Sequence, residues 1–338
     1  MRYLFFIWLG ILWGLQACSP SEPQAHVLED SPYHLALPAG FPQPEIPDHN
    51  KLTTLRVEFG KRLFFDPALS LDSTISCGTC HLPQKAFTDA NAVSVGIKGR
   101  KGFRNVPTLF NVAYHPYFFR EGKNPSLEAQ VMGPLENHDE MGFSGVYLPA
   151  RLQQNEQYVK LAKVAYGREL DMYVVTRALA AYERTLLSGN SAYDRYRNGD
   201  ETALSPSAKR GMNLFFSPKT RCMICHNGHD LTNYAIENIG SHATYEDPGL
   251  FRATSDPKDR GKFKVPTLRN IALTGPYMHD GSYETLEEII ELYNQGGKGH
   301  PNQAPQIGPL GLTKQEKADL LAFLESLTEE ELVRKTGL

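Results

Sequence analysis

A five-residue run, Cys77-Gly78-Thr79-Cys80-His81, recurs as Cys222-Met223-Ile224-Cys225-His226, and this C-x-x-C-H pattern constrains the chain more than any other feature. Two thiols at this spacing can form thioethers with the vinyl groups of a haem, while the adjacent imidazole reaches the iron from one face. Neither run has a second cysteine pair nearby to complete a four-thiolate zinc site, and the adjacent His distinguishes both from a thioredoxin-like dithiol. Two covalently bound haem c groups are therefore expected, with His81 and His226 as iron ligands. Any function must make use of two irons.

The surroundings of the two runs also repeat. Gly60 and Leu63-Phe64-Phe65 before the first match Gly211 and Leu214-Phe215-Phe216 before the second. Downstream, Val106-Pro107-Thr108-Leu109 and Asn111 match Val265-Pro266-Thr267-Leu268 and Asn270, and at the same offset Gly122 meets Gly281 and Leu127-Glu128 meets Leu286-Glu287. Such self-similarity marks a duplicated unit. Ser205-Pro206 reads as an N-cap and first helical residue, and Thr285-Leu-Glu-Glu288 and Thr313-Lys-Gln-Glu316 as capping boxes, the last leading into an apolar stripe through Leu320, Leu321, Phe323, Leu324 and Leu327. No alternating strand pattern of any length appears. The fold class expected is mainly α: two tandem cytochrome c-like haem domains with long irregular loops, over 51–190 and 191–338. Residues 168–187 read as the helix closing the first module, and 190–204 as a linker.

The formal charge of −3 carries no basic excess, so nucleic acid is not an expected partner. Residues 1–17 place Arg2 before an apolar run too short to span a membrane, the pattern of an export signal. Leu15-Gln16-Ala17-Cys18 then resembles a lipobox, in which Cys18 is lipidated; the alternative is an ordinary cleaved signal followed by a stray cysteine. Four of the five cysteines are consumed by haem, and the fifth sits at this position. The expected location is the periplasm of a Gram-negative-type bacterium, with the membrane reached by a lipid anchor only. Residues 18–50, with seven prolines from Pro20 to Pro47, read as a semi-extended tether.

Together with Arg104-Asn105 and the Thr274-Gly-Pro276-Tyr277-Met278-His279-Asp280-Gly281 run, the two modules resemble the bacterial dihaem cytochrome c peroxidase and MauG family, from about Lys51 to the C-terminus. The resemblance implies reduction of hydrogen peroxide at the N-terminal haem, with the C-terminal haem storing or relaying an electron from a small donor such as a cytochrome c or cupredoxin. By the same match Glu140 is the acid–base carboxylate, and Gln130 and Pro134 shape the pocket around it. The bare residues also allow Glu136, Asp139 and Glu140 to be a solvated acidic loop. Calcium between the modules is implied at Asn105, Thr274 and Pro276, which offer oxygen donors. A homodimer is compatible with the resemblance.

Three positions depart from the peroxidase pattern. Where members that need reductive activation carry a distal His, this chain reads Ser94-Val95-Gly96-Ile97. Isoleucine cannot ligate iron, so the first haem is expected to be open to peroxide without prior reduction. His115 could substitute in principle, but it stands before Pro116 in a different part of the repeat and reads rather as a satisfied loop histidine. The position that carries Met in high-potential peroxidases falls on Tyr293, with Met278 as the competing ligand; a phenolate favours ferric and higher states, whereas a thioether raises the potential. Finally, the Trp that family members place between the haems is Arg120 here, and the two tryptophans of the chain, Trp8 and Trp13, lie in the signal. Tyr114 or Tyr117 would have to stand in as a relay. The leading expectation is a dihaem c-type peroxidase, of the cytochrome-c peroxidase class of oxidoreductases. The alternatives are a MauG-like oxidase that modifies a partner protein, and an electron carrier without substrate chemistry.

Overall fold

Each half of the chain runs from an opening helix through an attachment run and a long loop to a short helix and a closing helix. A computed structural model describes residues 29–329 and 331; the export signal and Cys18 lie outside them. In the first half the opening helix is Thr54–Phe64, capped by the Thr53 hydroxyl, and the closing helix is Met172–Glu183, capped by Asp171. In the second half the corresponding helices are Pro206–Phe215 and Lys314–Glu325, capped by Ser205 and by the Thr313/Glu316 box. The only sheet among the described residues pairs Ile236–Glu237 antiparallel with Phe263–Lys264. The architecture is mainly helical with long loops, as the sequence predicts.

The two hydrophobic cores draw on residues 52–186 and 193–327 respectively. In the first, Phe59, Leu63 and Phe64 bury against Val174, Val175, Ala178 and Leu179; in the second, Phe215 buries against Leu320, Phe323 and Leu324. Each such side chain contributes about 1.5–3 kcal/mol on leaving water. Opening and closing helices touch backbone to backbone. A Cβ on Gly60 would stand 1.8 Å from the Ala178 carbonyl oxygen, and one on Gly211 would stand 1.8 Å from that of Asp319. Only glycine permits this approach, which is why both copies retain it.

Two boundaries differ from those read in the sequence. The Pro-rich segment is not a free tether from Asp30 onward. Tyr33 N donates to Leu52 O, Thr54 N donates to Ser31 O, and Asn50 is buried with its amide on Glu128 Oε1 at 2.7 Å. Phe41 packs on Tyr114 and His229, with the Arg269 guanidinium 4.6 Å over its ring. Aromatic and apolar residues scattered among the prolines supply this docking energy, which composition alone conceals. Likewise, residues 190–204 contain a helix, Ala192–Arg197, whose Asp194 receives two hydrogen bonds from Arg269 at 2.8 and 3.0 Å.

Candidate dihaem site

Both attachment runs present their histidines in the same way. His81 Nδ1 lies 2.8 Å from Phe87 O and His226 Nδ1 lies 3.1 Å from Leu231 O. A carbonyl can only accept, so Nδ1 carries the proton and Nε2 is left with its lone pair available to a metal. Burial pulls both histidines below their ordinary pKa, His226 to about 4, so they are neutral, as a ligand must be. Phe64 stands 6.4 Å from His81 and Phe215 stands 6.5 Å from His226, at nearly the same tilt. The four cysteines are unpaired, with their thiols raised by burial, Cys80 to about 11. Two thiols and an oriented imidazole at each run fit a c-type haem.

In the segment that follows the attachment loop the two modules differ. In the first, the helix after the loop is broken into Leu127–Gln130 and Met132–Glu136, with Pro134 in the second piece. Proline has no N–H, and its ring clashes with the carbonyl four residues back, so it disrupts a continuous helix there. Gln130 is half-buried on the preceding piece. The chain then turns, and Glu140 accepts a 2.7 Å hydrogen bond from the Asn137 amide. Burial raises the Glu140 carboxyl pKa, the Asn137 bond opposes this, and Asp139 adds to the rise. Its charge reaches Cys80, which places it beside the first attachment run. Ile97 is completely buried and donates its N–H to Glu140 O at 2.9 Å. The two residues that the sequence assigns separately to an open iron and an acid–base group thus belong to one hydrogen-bonded corner.

In the second module the corresponding helix, Leu286–Gln295, is continuous and starts at the Thr285/Glu288 capping box. Tyr293 occupies the position related to Pro134 by the 159-residue offset that also relates Asn111 to Asn270. Burial raises its phenol pKa, and Cys222 and Cys225 are the next causes, so the ring faces the second attachment run. Met278 has a left-handed backbone, φ 74°, and its counterpart Phe119 has φ 64° and lies over Gly133.

Arg120 stands at the boundary between the modules. Its Nη2 donates to both the carbonyl and the amide oxygen of Asn105, each at 2.9 Å. Arg104 Nε bonds Asp247 Oδ2 at 2.6 Å, and its Nη1 bonds Glu121. Backbone links Asn105 N to His279 O and Lys264 N to Arg120 O cross the same boundary. Of the donors expected for calcium, the Asn105 amide oxygen is engaged by this guanidinium; Thr274 and Pro276 would act through their backbone carbonyls, which suit the ion, and Pro276 is buried. His115 is held between Lys264 Nζ, 3.1 Å from its Nδ1, and Asp230, 3.7 Å from its Nε2. Tyr114 packs edge-on against His229 with ring centroids 4.6 Å apart, and Tyr117 donates to Tyr234 O, so both tyrosines span this boundary as relay candidates.

Tandem C-x-x-C-H modules, one attachment run flanked by a carboxylate and the other by a tyrosine, define a dihaem cytochrome. Comparison with known proteins agrees. Residues 54–202 match the model of the di-haem cytochrome c peroxidase family, and 208–328 match that of cytochrome c. The methylamine utilization protein MauG of Methylorubrum extorquens is 38% identical, over 87% of this chain and 85% of that protein. Cytochrome-c peroxidase IdrP1 of Denitromonas iodatirespirans is 36% identical, over 86% of each. Among solved structures, a MauG-like protein associated with microbial copper homeostasis is 35% identical, with a TM-score of 0.84 over 89% of this chain and 97% of that one. The chain belongs to the dihaem cytochrome c peroxidase and MauG family, with two c-type haem domains.

Sequence reasoning passed over several residues of the site. Asn137, which holds Glu140, was within reach as an amide three residues before an acid in a turn. Glu183 sits in the closing helix next to Cys77, with its pKa raised by burial to about 8 and its Oε2 unpartnered; a charged residue at a core-facing position of an apolar helix was its only signal. The contact of Arg120 with Asn105, fifteen residues away, had none.

Proposed function

We propose that this chain is a dihaem peroxidase that reduces hydrogen peroxide to water at its N-terminal module, with electrons arriving through the C-terminal module from a small redox protein such as a cytochrome c. When bound, the haem supplies a redox-active iron at which the O–O bond is cleaved. Glu140 would carry a proton from one peroxide oxygen to the other, so that the second can leave as water; two electrons from the donor and two protons would complete the conversion of one peroxide to two water molecules. Asn137 orients the carboxylate, and Ile97 and Pro134 offer no ligand atom on that side. One observation supports the reading: the carboxyl, the non-ligating Ile97 and the helix-breaking proline are linked through one backbone corner in the first module. The periplasm, reached through an export signal and lipidated Cys18, suits covalent haem attachment and such a donor. No helix among the described residues is long and apolar enough to cross a membrane.

Steady-state peroxide consumption with reduced cytochrome c, started from the fully oxidised protein, tests the proposal. Turnover without a lag is expected, together with a high-spin ferric component at rest. An entirely low-spin resting spectrum, with activity only after pre-reduction, would refute the open first site. Tyr293 beside Cys222 and Cys225 favours a second reading, a MauG-like oxidase acting on a partner protein, because a phenolate stabilises oxidised iron.

A further inference from the structure

The boundary between the modules holds a cation built into the chain. Asn105 turns two oxygens, one from its backbone and one from its side chain, toward a single nitrogen of Arg120, at equal distances of 2.9 Å. This residue is only 6% exposed, and its own N–H is committed across the boundary to His279 O at 2.7 Å. Nε of Arg120 is shielded from solvent and unpartnered, so the guanidinium is held chiefly by those oxygens. Burial and the Arg104 charge lower its pKa to about 10, and Asp280 opposes them, so it stays protonated at neutral pH. The carbonyl of Arg120 in turn receives Lys264 N, which ties the same residue to the second module at 2.6 Å. We infer that Arg120 is the resident cation of this seat, and that the protein clasps its two modules without calcium.

The chemistry is that of competing charges. Calcium needs six to eight oxygen ligands at about 2.3–2.6 Å. A guanidinium already bonded to the same amide oxygen repels a dication and removes that ligand from its shell. The nearby His242, His279 and Asp280 group brings ligand atoms within 4.8 Å of one another, but two of its three donors are imidazole nitrogens, which do not suit calcium. A guanidinium also differs from a bound ion in how it fails: it cannot be lost to a chelator.

The test uses the holoprotein with both haems in place. After dialysis against EGTA and desalting, the wild-type protein should contain substoichiometric calcium by atomic emission, and neither EGTA nor millimolar calcium should shift its haem spectra or its thermal midpoint. Arg120→Ala releases the Asn105 oxygens. Calcium should then bind and raise the midpoint of this variant alone, by roughly 5 °C at about 100 times its Kd, and a further Asn105→Ala change should abolish the response. If Arg120→Ala fails to accumulate, Arg120→Gln removes the charge while keeping an amide near its place, and the same response is expected. One tightly held calcium per wild-type chain, lost to EGTA with a fall in the midpoint, would overturn the inference. So would variants that fold but gain no calcium response, since the seat would then not be one that a cation can share.

Discussion

The two modules are built alike on the side of the attachment histidine and unlike on the other. His81 and His226, Phe64 and Phe215, and Gly60 and Gly211 each keep the same contacts in both copies. After the attachment loop, one copy has Pro134 in a broken helix with Glu140 beyond it, and the other has Tyr293 on an unbroken helix. Duplication explains the likeness, because covalent attachment and a buried imidazole suit either role. Under the proposed function the difference lies where the roles would diverge: a substrate needs space and a proton carrier, whereas an electron relay needs a filled, rigid surrounding.

The shared side should be the more sensitive to packing. Gly60→Ala and Gly211→Ala each push a methyl group into a backbone carbonyl, so the helices must separate; a loss of about 3 kcal/mol or more is expected for either in denaturant titrations of the holoprotein. A large loss in one module with none in the other would break the equivalence of the two crossings.

On the divergent side, Glu140→Gln keeps the shape and the Asn137 contact but cannot accept a proton. Both haem spectra should be unchanged, while the rate with peroxide falls by ~10²-fold or more in stopped-flow measurements. In the unmodified protein that rate should decline as the pH drops through the Glu140 pKa, because the ionised carboxylate is the proton acceptor. Burial places that limb above 4.5, the carboxyl's ordinary value, and it should be missing in the variant. An unchanged rate would return Glu140 to a solvated acidic loop.

Tyr293→Phe removes one hydroxyl from the relay side and should cost less than 1 kcal/mol of stability, since no protein partner is lost. If the phenolate ligates the second iron, this change converts that haem to a high-spin form or a Met-bound one and leaves the first untouched. Met278→Leu should then be silent in the wild-type background. The reverse pattern, with Met278→Leu altering the spectrum and Tyr293→Phe silent, would assign the ligand to Met278 and bring the second module closer to an ordinary peroxidase.

Much of this was legible in the residues themselves. The attachment runs, the duplication and the caps at Ser205, Thr285 and Thr313 are local signals, with donors and acceptors within four residues of each other, and they reappear in the folded chain. The closing helix read over 168–187 is shorter, because the Asp171 side chain caps it and fixes its start. What stayed hidden was long-range and polar. Nothing in the chain around Arg120 announces Asn105 as its partner, and Ile97 and Glu140, 43 positions apart in the chain, are joined by a backbone hydrogen bond that no side chain signals. The Pro-rich stretch misled for a different reason: prolines suppress helix and strand whether or not the segment docks, so composition reported its extension and said nothing of its contacts.

That docking turns a spacer into a strap. If Cys18 carries a lipid, twelve residues separate it from Asp30, a length of chain that covalent geometry limits to ~40 Å. Beyond that point the strap runs over the first module and reaches the second through Phe41, at His229 and Arg269. A leash fixed near the seam between the modules allows little freedom to present any face at random. The enzyme would sit on its membrane with a preferred side toward the lipid, and a soluble donor would meet the second haem from whichever side the strap leaves uncovered.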